Sequence, residues 1–161
     1  MSDSKPAAAV PLDRYERRIL IALQADGRLT NQELARQVGL SASACWRRVK
    51  GLEDAGVIQR YTAILDPQKV GMGETVFTHV SLAHHSRASS LEFAELMRQQ
   101  PEVMECFFTT GAADVLLRVA TPSVAAYDHF LENVIFDAAG ISQVHSDFAL
   151  RQIKFETALP L

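Results

Sequence analysis

Cysteine is scarce in this chain of 161 residues, which contains two, Cys45 and Cys106, and no Cys-x-x-Cys pair. Two cysteines so far apart give no disulfide framework and no zinc-binding motif. The sequence also lacks an apolar run of the ~20 residues that a membrane-spanning helix requires. It has no P-loop, no Gly-x-Gly-x-x-Gly motif and no nucleophile–base pairing, so we expect neither an enzyme, nor a bound cofactor, nor a membrane partner.

Charge is distributed unevenly along the chain. Residues 1–65 carry ten Lys/Arg against seven Asp/Glu, a net charge of +3, whereas residues 66–161 carry six against twelve, a net charge of −6. A basic amino-terminal third on an otherwise acidic protein is typical of a DNA-contacting module joined to a second module with another task.

The segment TNQELARQVGLSASACWRRVKGLE, residues 30–53, has the pattern of two short helices joined by a tight turn. Thr30 and Glu33 have the spacing of a capping box, Gly39 supplies the turn, and Ser41 is placed to cap the second helix. The spacing predicts a helix-turn-helix, in which the second helix enters the major groove of DNA.

The second of these helices has two distinct faces. At 3.6 residues per turn, Cys45, Val49 and Leu52 form an apolar face that belongs to the core. The following run, VIQRYTAIL, is rich in β-formers and could form a wing. From these elements we expect the contacts with double-stranded DNA to be Ser41, Ser43, Trp46, Arg47, Arg48, Lys50 and Arg60. The alternative is a bundle that serves only protein contacts, with its basic side chains as solvated surface.

The beginning of the chain shows no targeting signal. The first ten residues, MSDSKPAAAV, lack the basic and then apolar layout of a signal peptide. We expect residues 1–11 to be a flexible tail and the protein to be cytoplasmic. A helix begins at Asp13, where Glu16 completes a capping box, so residues 12–65 are predicted to form the DNA-binding domain.

Asp66-Pro67 marks a hinge over residues 66–73, because proline cannot donate to a strand ladder and pushes the preceding residue out of helical geometry. The rest of the chain, residues 74–161, predicts an α+β domain with the order β-α-β-β-α-β, the ferredoxin-like pattern. Its elements are a strand over 74–83, a helix capped by Ser89, strands in MECFFTT and DVLLRVA, a helix starting at Ser123 and a long strand region, SQVHSDFALRQIKFET. Two helices would cover one sheet face, and the uncovered face predicts a dimer.

Several residues have an ordinary interpretation as well as a specialised one. His79, His84 and His85 lie close together in the sequence, but no Cys or carboxylate stands at ligand spacing beside them, so we predict no metal site. Cys45 is expected to be a small core residue rather than a redox switch. Trp46 could contact the edge of the DNA groove or pack within the protein.

The run from LDRYERRIL to YTAILDP, residues 12–67, resembles the amino-terminal half of the Lrp/AsnC (leucine-responsive, feast–famine) transcription regulators. The resemblance extends to the carboxyl end, where FALRQIKFETALPL is similar to one subgroup of this family. It implies a second domain of ferredoxin-like fold that dimerises, assembles further into tetramers or octamers, and binds a free amino acid. It also implies regulation of genes of amino-acid metabolism or transport.

The resemblance also implies a position for the amino-acid effector. The family has a Gly-Asp-aromatic-Asp pattern in the turn between the second and third strands of this domain, and the turn here is Gly111-Ala112-Ala113-Asp114. An aspartate can bind an α-ammonium group, and backbone N–H groups can bind an α-carboxylate. The expected effector contacts are Phe108, Thr109, Thr110, Gly111, Asp114, Ser146, Asp147 and Phe148. The alternative for Asp114 is a turn residue that bonds its own backbone.

Three functions remain open at this stage. The first is a transcription regulator that responds to a free amino acid, with cysteine, branched-chain, methionine and aromatic amino acids all allowed. The second is an architectural DNA-compacting protein without an effector, which the two alanines in the turn favour. The third is a small-molecule-binding or catalytic protein whose helix-turn-helix no longer binds DNA.

Overall fold

The computed structural model describes residues 9–83 and 86–161 of the chain. The chain divides into two compact units: one comprises the residues up to Ile64 together with Lys154–Leu161, and the other comprises Leu65–Ile153. The domain boundaries that the sequence predicts, 12–65 and 74–161, stay a prediction. Most of the predicted tail, and also His84 and His85, lie outside the described residues.

Three helices build the first unit, namely α1 (Arg14–Ala25), α2 (Asn31–Val38) and α3 (Ala42–Asp54). Each begins at the side-chain cap that the sequence predicts. Asp13 and Thr30 form complete capping boxes with Glu16 and Glu33, and the hydroxyl of Ser41 accepts a hydrogen bond from the backbone N–H of Ala44. These bonds satisfy N–H groups that would otherwise have no partner in the first turn of each helix.

The tight turn between α2 and α3 depends on glycine. Gly39 ends α2 with φ at 74°, in the left-handed region that glycine adopts without a steric penalty. The turn lets the apolar faces of the three helices meet in one core, formed by Ile19, Leu20, Leu34, Ala35, Val38, Cys45 and Leu52. Cys45 is fully buried there, as the pattern predicts, and burial raises the pKa of its thiol.

The predicted wing strand does not form in the single chain. The backbone N–H groups of Val57 and Ile58 both donate to the carbonyl of Leu52, which closes the end of α3, and residues 59–66 have no regular secondary structure. A strand needs a partner for its backbone groups, and no described segment supplies one here.

The second unit contains the predicted β-α-β-β-α-β order. Its elements are β1 (Glu74–Leu82), α4 (Arg87–Arg98), β2 (Val103–Phe108), β3 (Val115–Thr121), α5 (Val124–Phe130) and β4 (Ile141–Phe148). The strands form one antiparallel sheet in the order β2-β3-β1-β4. The ferredoxin-like fold class is therefore confirmed.

Two boundaries in this unit differ from the prediction. The cap of α4 is Ser86 rather than Ser89, because the hydroxyl of Ser86 accepts from the N–H of Ser89. The last strand ends at Phe148, whereas the sequence pattern continues to Thr157. The last residue pair in its ladder with β1 is Phe148 with Val76, and beyond this pair only the N–H of Ala149 continues the pairing, by donating to the carbonyl of Thr75 at 2.9 Å.

The two faces of the sheet have different environments. On one face, side chains of the strands pack against side chains of α4, α5 and the turn that follows α5, and together they form a core. Its buried members are Val76, Val80, Leu82, Phe93, Met97, Val115, Leu117, Val119, Tyr127, Phe130 and Ile135. The opposite side, which we call the open sheet face, carries Phe77, His79, Phe107, Leu116, Arg118 and Asp147. Phe77 and Phe107 are exposed there. Across the described ranges, no helix has the length and apolar character that crossing a bilayer would demand.

Tyr127 connects α5 to the sheet through a buried hydroxyl network. Its hydroxyl lies 2.7 Å from that of Thr78 and 2.6 Å from that of Ser146. Because Thr78 is fully buried, we expect Tyr127→Phe to lower the free energy of unfolding by about 1–3 kcal/mol, as measured by urea titration. Tyr15→Phe is the control, since Arg14, an exposed residue, is the one described residue that donates to the hydroxyl of Tyr15. Equal losses in the two variants would contradict this role.

Candidate functional site

The exposed face of α3 carries the predicted DNA contacts. Ser43, Trp46 and Arg47 line one shallow depression together with Asn31 from the start of α2. The amide of Asn31 donates to the carbonyl of Ala42 at 2.8 Å, which fixes α2 against the first residue of α3. Trp46 is 58% exposed, so it packs little within its own chain. Asn31 was not among the predicted contacts, although its position next to the Thr30 cap could have indicated it.

Arg47 and Arg48 have different surroundings despite being neighbours. The guanidinium of Arg47 is exposed and forms no ion pair within the described part of the chain. The guanidinium of Arg48 instead pairs with Asp13, lies 3.5 Å from a carboxylate oxygen of Glu16, and stacks over the ring of Tyr15. Arg48 was predicted to contact a DNA phosphate, but in this structure it holds α3 to the start of α1.

The carboxylate of Asp13 is part of the same arrangement. Hydrogen bonds from the backbone N–H of Glu16, and then from Arg48, hold the pKa of Asp13 below its usual value. Asp13 therefore stays ionised while it caps α1 and binds Arg48 of α3, which fixes α3 against the start of α1.

The remaining DNA candidates are placed as follows. The ammonium of Lys50 lies 2.9 Å from a carboxylate oxygen of Asp54, and this hydrogen bond raises the pKa of Lys50. The pair is exposed, so a phosphate could take the place of Asp54 at small cost. The hydroxyl of Ser41 caps α3 and also lies 3.3 Å from that of Ser43. Arg60 is exposed in the irregular segment after α3.

The predicted effector turn is tied to the end of β1. The carboxylate of Asp114 accepts from the backbone N–H of Leu82 at 2.8 Å, and its own N–H donates to the carbonyl of Val80 at 3.1 Å. The hydroxyl of Thr109 donates to the carbonyl of Ala113 at 2.8 Å. Asp114 thus has a structural partner across the sheet in addition to any ligand it binds.

The turn itself is open to solvent. Phe108, Thr109, Thr110 and Gly111 are exposed. The backbone N–H groups of residues 110–113 donate to no acceptor in the described part of the chain. Adjacent N–H groups of this kind can bind the carboxylate of a ligand. The carboxylate of Asp114 lies beside them and can bind the ammonium group of the same ligand.

The three effector candidates on β4 do not lie on one face. Ser146 and Phe148 point toward the helices, where Ser146 bonds Tyr127 and the ring of Phe148 meets that of Tyr127 edge-on at 5.3 Å. Asp147 points to the open sheet face, where its carboxylate lies 3.4 Å from Nε2 of His79 and 3.1 Å from Nε2 of His145. The alternation of a strand separates side chains that are adjacent in the sequence.

These histidines and Asp147 form a polar cluster among the aromatic side chains of the open sheet face. No group of three or more His, Cys, Asp or Glu with the arrangement of a metal site occurs among the described residues. Arg118 and Glu105, 3.1 Å apart, form an ion pair on the same face.

Both halves of the chain match described protein families. Residues 12–59 match the winged helix-turn-helix DNA-binding family, and residues 75–159 match the Lrp/AsnC ligand binding domain. The chain belongs to the Lrp/AsnC family of DNA-binding transcriptional regulators. This membership agrees with the fold of both units and with the exposed basic face of α3.

Individual relatives cover almost the whole chain. It is 38% identical over 150 residues to the DNA-binding transcriptional activator DecR of Escherichia coli K12, covering 93% of this chain and 99% of the relative. It is 41% identical over 150 residues to the Bkd operon transcriptional regulator of Pseudomonas aeruginosa, covering 93% and 98%. A transcriptional regulator from Neisseria meningitidis, solved as a complex with L-methionine, has a TM-score of 0.88 and 40% identity, covering 93% and 97%.

Proposed function

We propose that the protein is a sequence-specific transcriptional regulator of amino-acid metabolism or transport genes, and that a free amino acid bound at the β2–β3 turn modulates its binding to DNA. The observation that carries the first part is the exposed face of α3, where Trp46 and Arg47 lie beside Ser43 and Asn31 and where Arg47 has no ion pair with any residue that the structure describes. An arginine with no internal partner is available to a guanine edge or a phosphate.

The effector part of the proposal is supported by the chemistry of the turn. An amino acid carries an ammonium and a carboxylate on one carbon. The turn offers the carboxylate of Asp114 beside the N–H groups of residues 110–113, which have no acceptor among the described residues. Alanines at 112 and 113 leave room for a ligand side chain. The relative from Neisseria meningitidis binds L-methionine, so L-methionine is the first effector to test.

The assembly that we propose is a dimer formed through the open sheet face. Phe77 and Phe107 are exposed there, and a second copy of the sheet would cover them. We call α3 the recognition helix. A dimer would place its two copies roughly 34 Å apart, or a multiple of this distance, along the DNA. Further assembly into tetramers or octamers would enclose the exposed effector turn, since small ligands usually bind in concave sites. Because its proposed target is DNA, we place the protein in the cytoplasm. The proposed function includes no catalytic step.

A second candidate function is an architectural DNA-compacting protein without an effector. The observation that favours it is the turn sequence, in which Ala112 and Ala113 replace the acidic and aromatic residues of the family pattern. This function predicts weak discrimination between DNA sequences.

Selection of duplexes from a random pool, followed by affinity measurements across a salt series, tests the proposed function. We expect an enriched sequence that binds about 10³-fold or more tightly than random DNA at physiological salt. Equal affinities for enriched and random DNA, with a steep salt dependence for both, would contradict sequence-specific regulation and support the architectural function.

A further inference from the structure

The carboxyl-terminal segment is packed as part of the DNA-binding unit. Lys154–Leu161 group with the residues up to Ile64, although the chain reaches them only after the second unit. We call Lys154–Leu161 the strap. The chain therefore crosses between the units twice, once near Ile64 and once near Ile153, and the second crossing follows β4 directly.

One side chain holds the strap through a matched pair of hydrogen bonds. The carboxamide nitrogen of Gln24, on α1, donates to the carbonyl of Leu159 at 3.1 Å, and the N–H of Leu159 donates to the carboxamide oxygen of Gln24 at 2.6 Å. The donor and acceptor of one amide thus meet both backbone groups of one extended residue, as a neighbouring strand would. Only Asn and Gln present a donor and an acceptor side by side in this way.

The strap also has local order that prepares this contact. The carboxylate of Glu156 accepts from the N–H groups of Thr157 at 3.0 Å and Ala158 at 2.9 Å, and these bonds lower its pKa. They fix the backbone immediately before Leu159, so less conformational entropy is lost when Leu159 pairs with Gln24.

The contact is weak enough to open. Gln24 is half-buried, and Leu159 is exposed and retains 70% of its accessible surface. A single exposed hydrogen bond contributes little to the stability of the docked strap. Gln24 and Leu159 belong to one chain, however, so their contact forms intramolecularly, and a weak contact of this kind can remain occupied and still respond to a small change.

The position of the strap in the chain links it to both proposed sites. Upstream, Ser146 and Phe148 of β4 contact Tyr127 in the effector-binding domain. Downstream, the strap binds α1, which packs against α3 in one core and is joined to it by the ion pair of Arg48 with Asp13. We propose that docking of the strap on Gln24 couples the effector-binding domain to the recognition helix, so that Gln24 is a positioning residue for the response of DNA binding to effector. This inference rests on the proposed function.

The test uses the full chain with Gln24→Glu, which keeps the acceptor but replaces the donor with an oxygen that faces the carbonyl of Leu159. Gln37→Glu is the matched control, because it adds the same charge on an exposed position of α2 whose side chain has no hydrogen bond in the described part of the chain. Hydrogen exchange of the strap is measured first. We expect exchange at Leu159 to become roughly tenfold faster in Gln24→Glu and to stay unchanged in Gln37→Glu.

Operator affinity with and without saturating L-methionine is measured next. We expect the ratio of the two affinities to approach one in Gln24→Glu while the wild-type ratio is retained in Gln37→Glu. Unchanged strap exchange in Gln24→Glu would overturn the docking, and faster exchange with an unchanged ratio would overturn the coupling. A wild-type protein that does not respond to L-methionine would instead count against the proposed effector, and the exchange result would then decide the docking by itself.

Discussion

Replacing Arg47 with alanine should weaken binding to the operator by about 1–3 kcal/mol, which is roughly 5- to 150-fold, if Arg47 contacts a base edge. The guanidinium is exposed and has no ion pair in the described part of the chain, so its removal should leave the thermal unfolding temperature nearly unchanged. Fluorescence anisotropy with operator and random duplexes measures the effect. A similar loss on both duplexes would assign Arg47 to a phosphate.

Arg48→Ala is the comparison that makes this result informative, because the two arginines are adjacent on α3 and differ in their partners. Arg48 pairs with Asp13 and Glu16, so its loss should lower stability by up to about 1 kcal/mol and affect DNA binding less than Arg47→Ala does. If Arg48→Ala caused the larger loss of operator affinity, the assignment of Arg47 as the main contact would be wrong.

The second large effect is expected at the effector turn. Asp114→Asn keeps an oxygen that can accept from the N–H of Leu82 but removes the charge that an α-ammonium needs. We expect this variant to fold with near wild-type stability and to lose the stabilisation by L-methionine, which by mass action is about 2.7 kcal/mol at a hundredfold excess over the dissociation constant. Thermal unfolding with and without L-methionine measures both quantities.

Two further variants separate charge from structure at this turn. Asp114→Ala also removes the acceptor for Leu82, so it should cost an additional ~1–3 kcal/mol of stability without ligand. Asp128→Asn removes an exposed carboxylate from α5 and should leave the response intact. A normal response to L-methionine in Asp114→Asn would show that Asp114 acts only as a turn residue.

Signals between residues close together in the sequence were sufficient to predict most of the helices and strands and their order. Capping boxes at Asp13 and Thr30, the glycine at position 39 and the apolar periodicity of the helices each depend on residues three or four apart, so they can be identified without tertiary information. Strand order also follows from the β-α-β-β-α-β succession, because few connections are allowed between such elements.

What the sequence did not predict are contacts between distant residues. The pairing of Arg48 with Asp13 depends on how α1 and α3 pack, and the pairing of Gln24 with Leu159 joins positions at opposite ends of the chain. The end of β4 at Phe148 was also not predictable from its own pattern, since it depends on the pairing with β1, whose last pair is Val76 with Phe148. The separation of Asp147 from Ser146 and Phe148 could have been predicted from the alternation of a strand.

Regulation by an amino-acid effector is tested most directly by the affinity of the wild-type protein for its selected operator, measured separately with each free amino acid at millimolar concentration. We expect that one amino acid, or a few of related chemistry, changes the operator affinity by about 5- to 150-fold and leaves the affinity for random DNA little changed. An operator affinity that no amino acid changes would contradict regulation by an amino-acid effector.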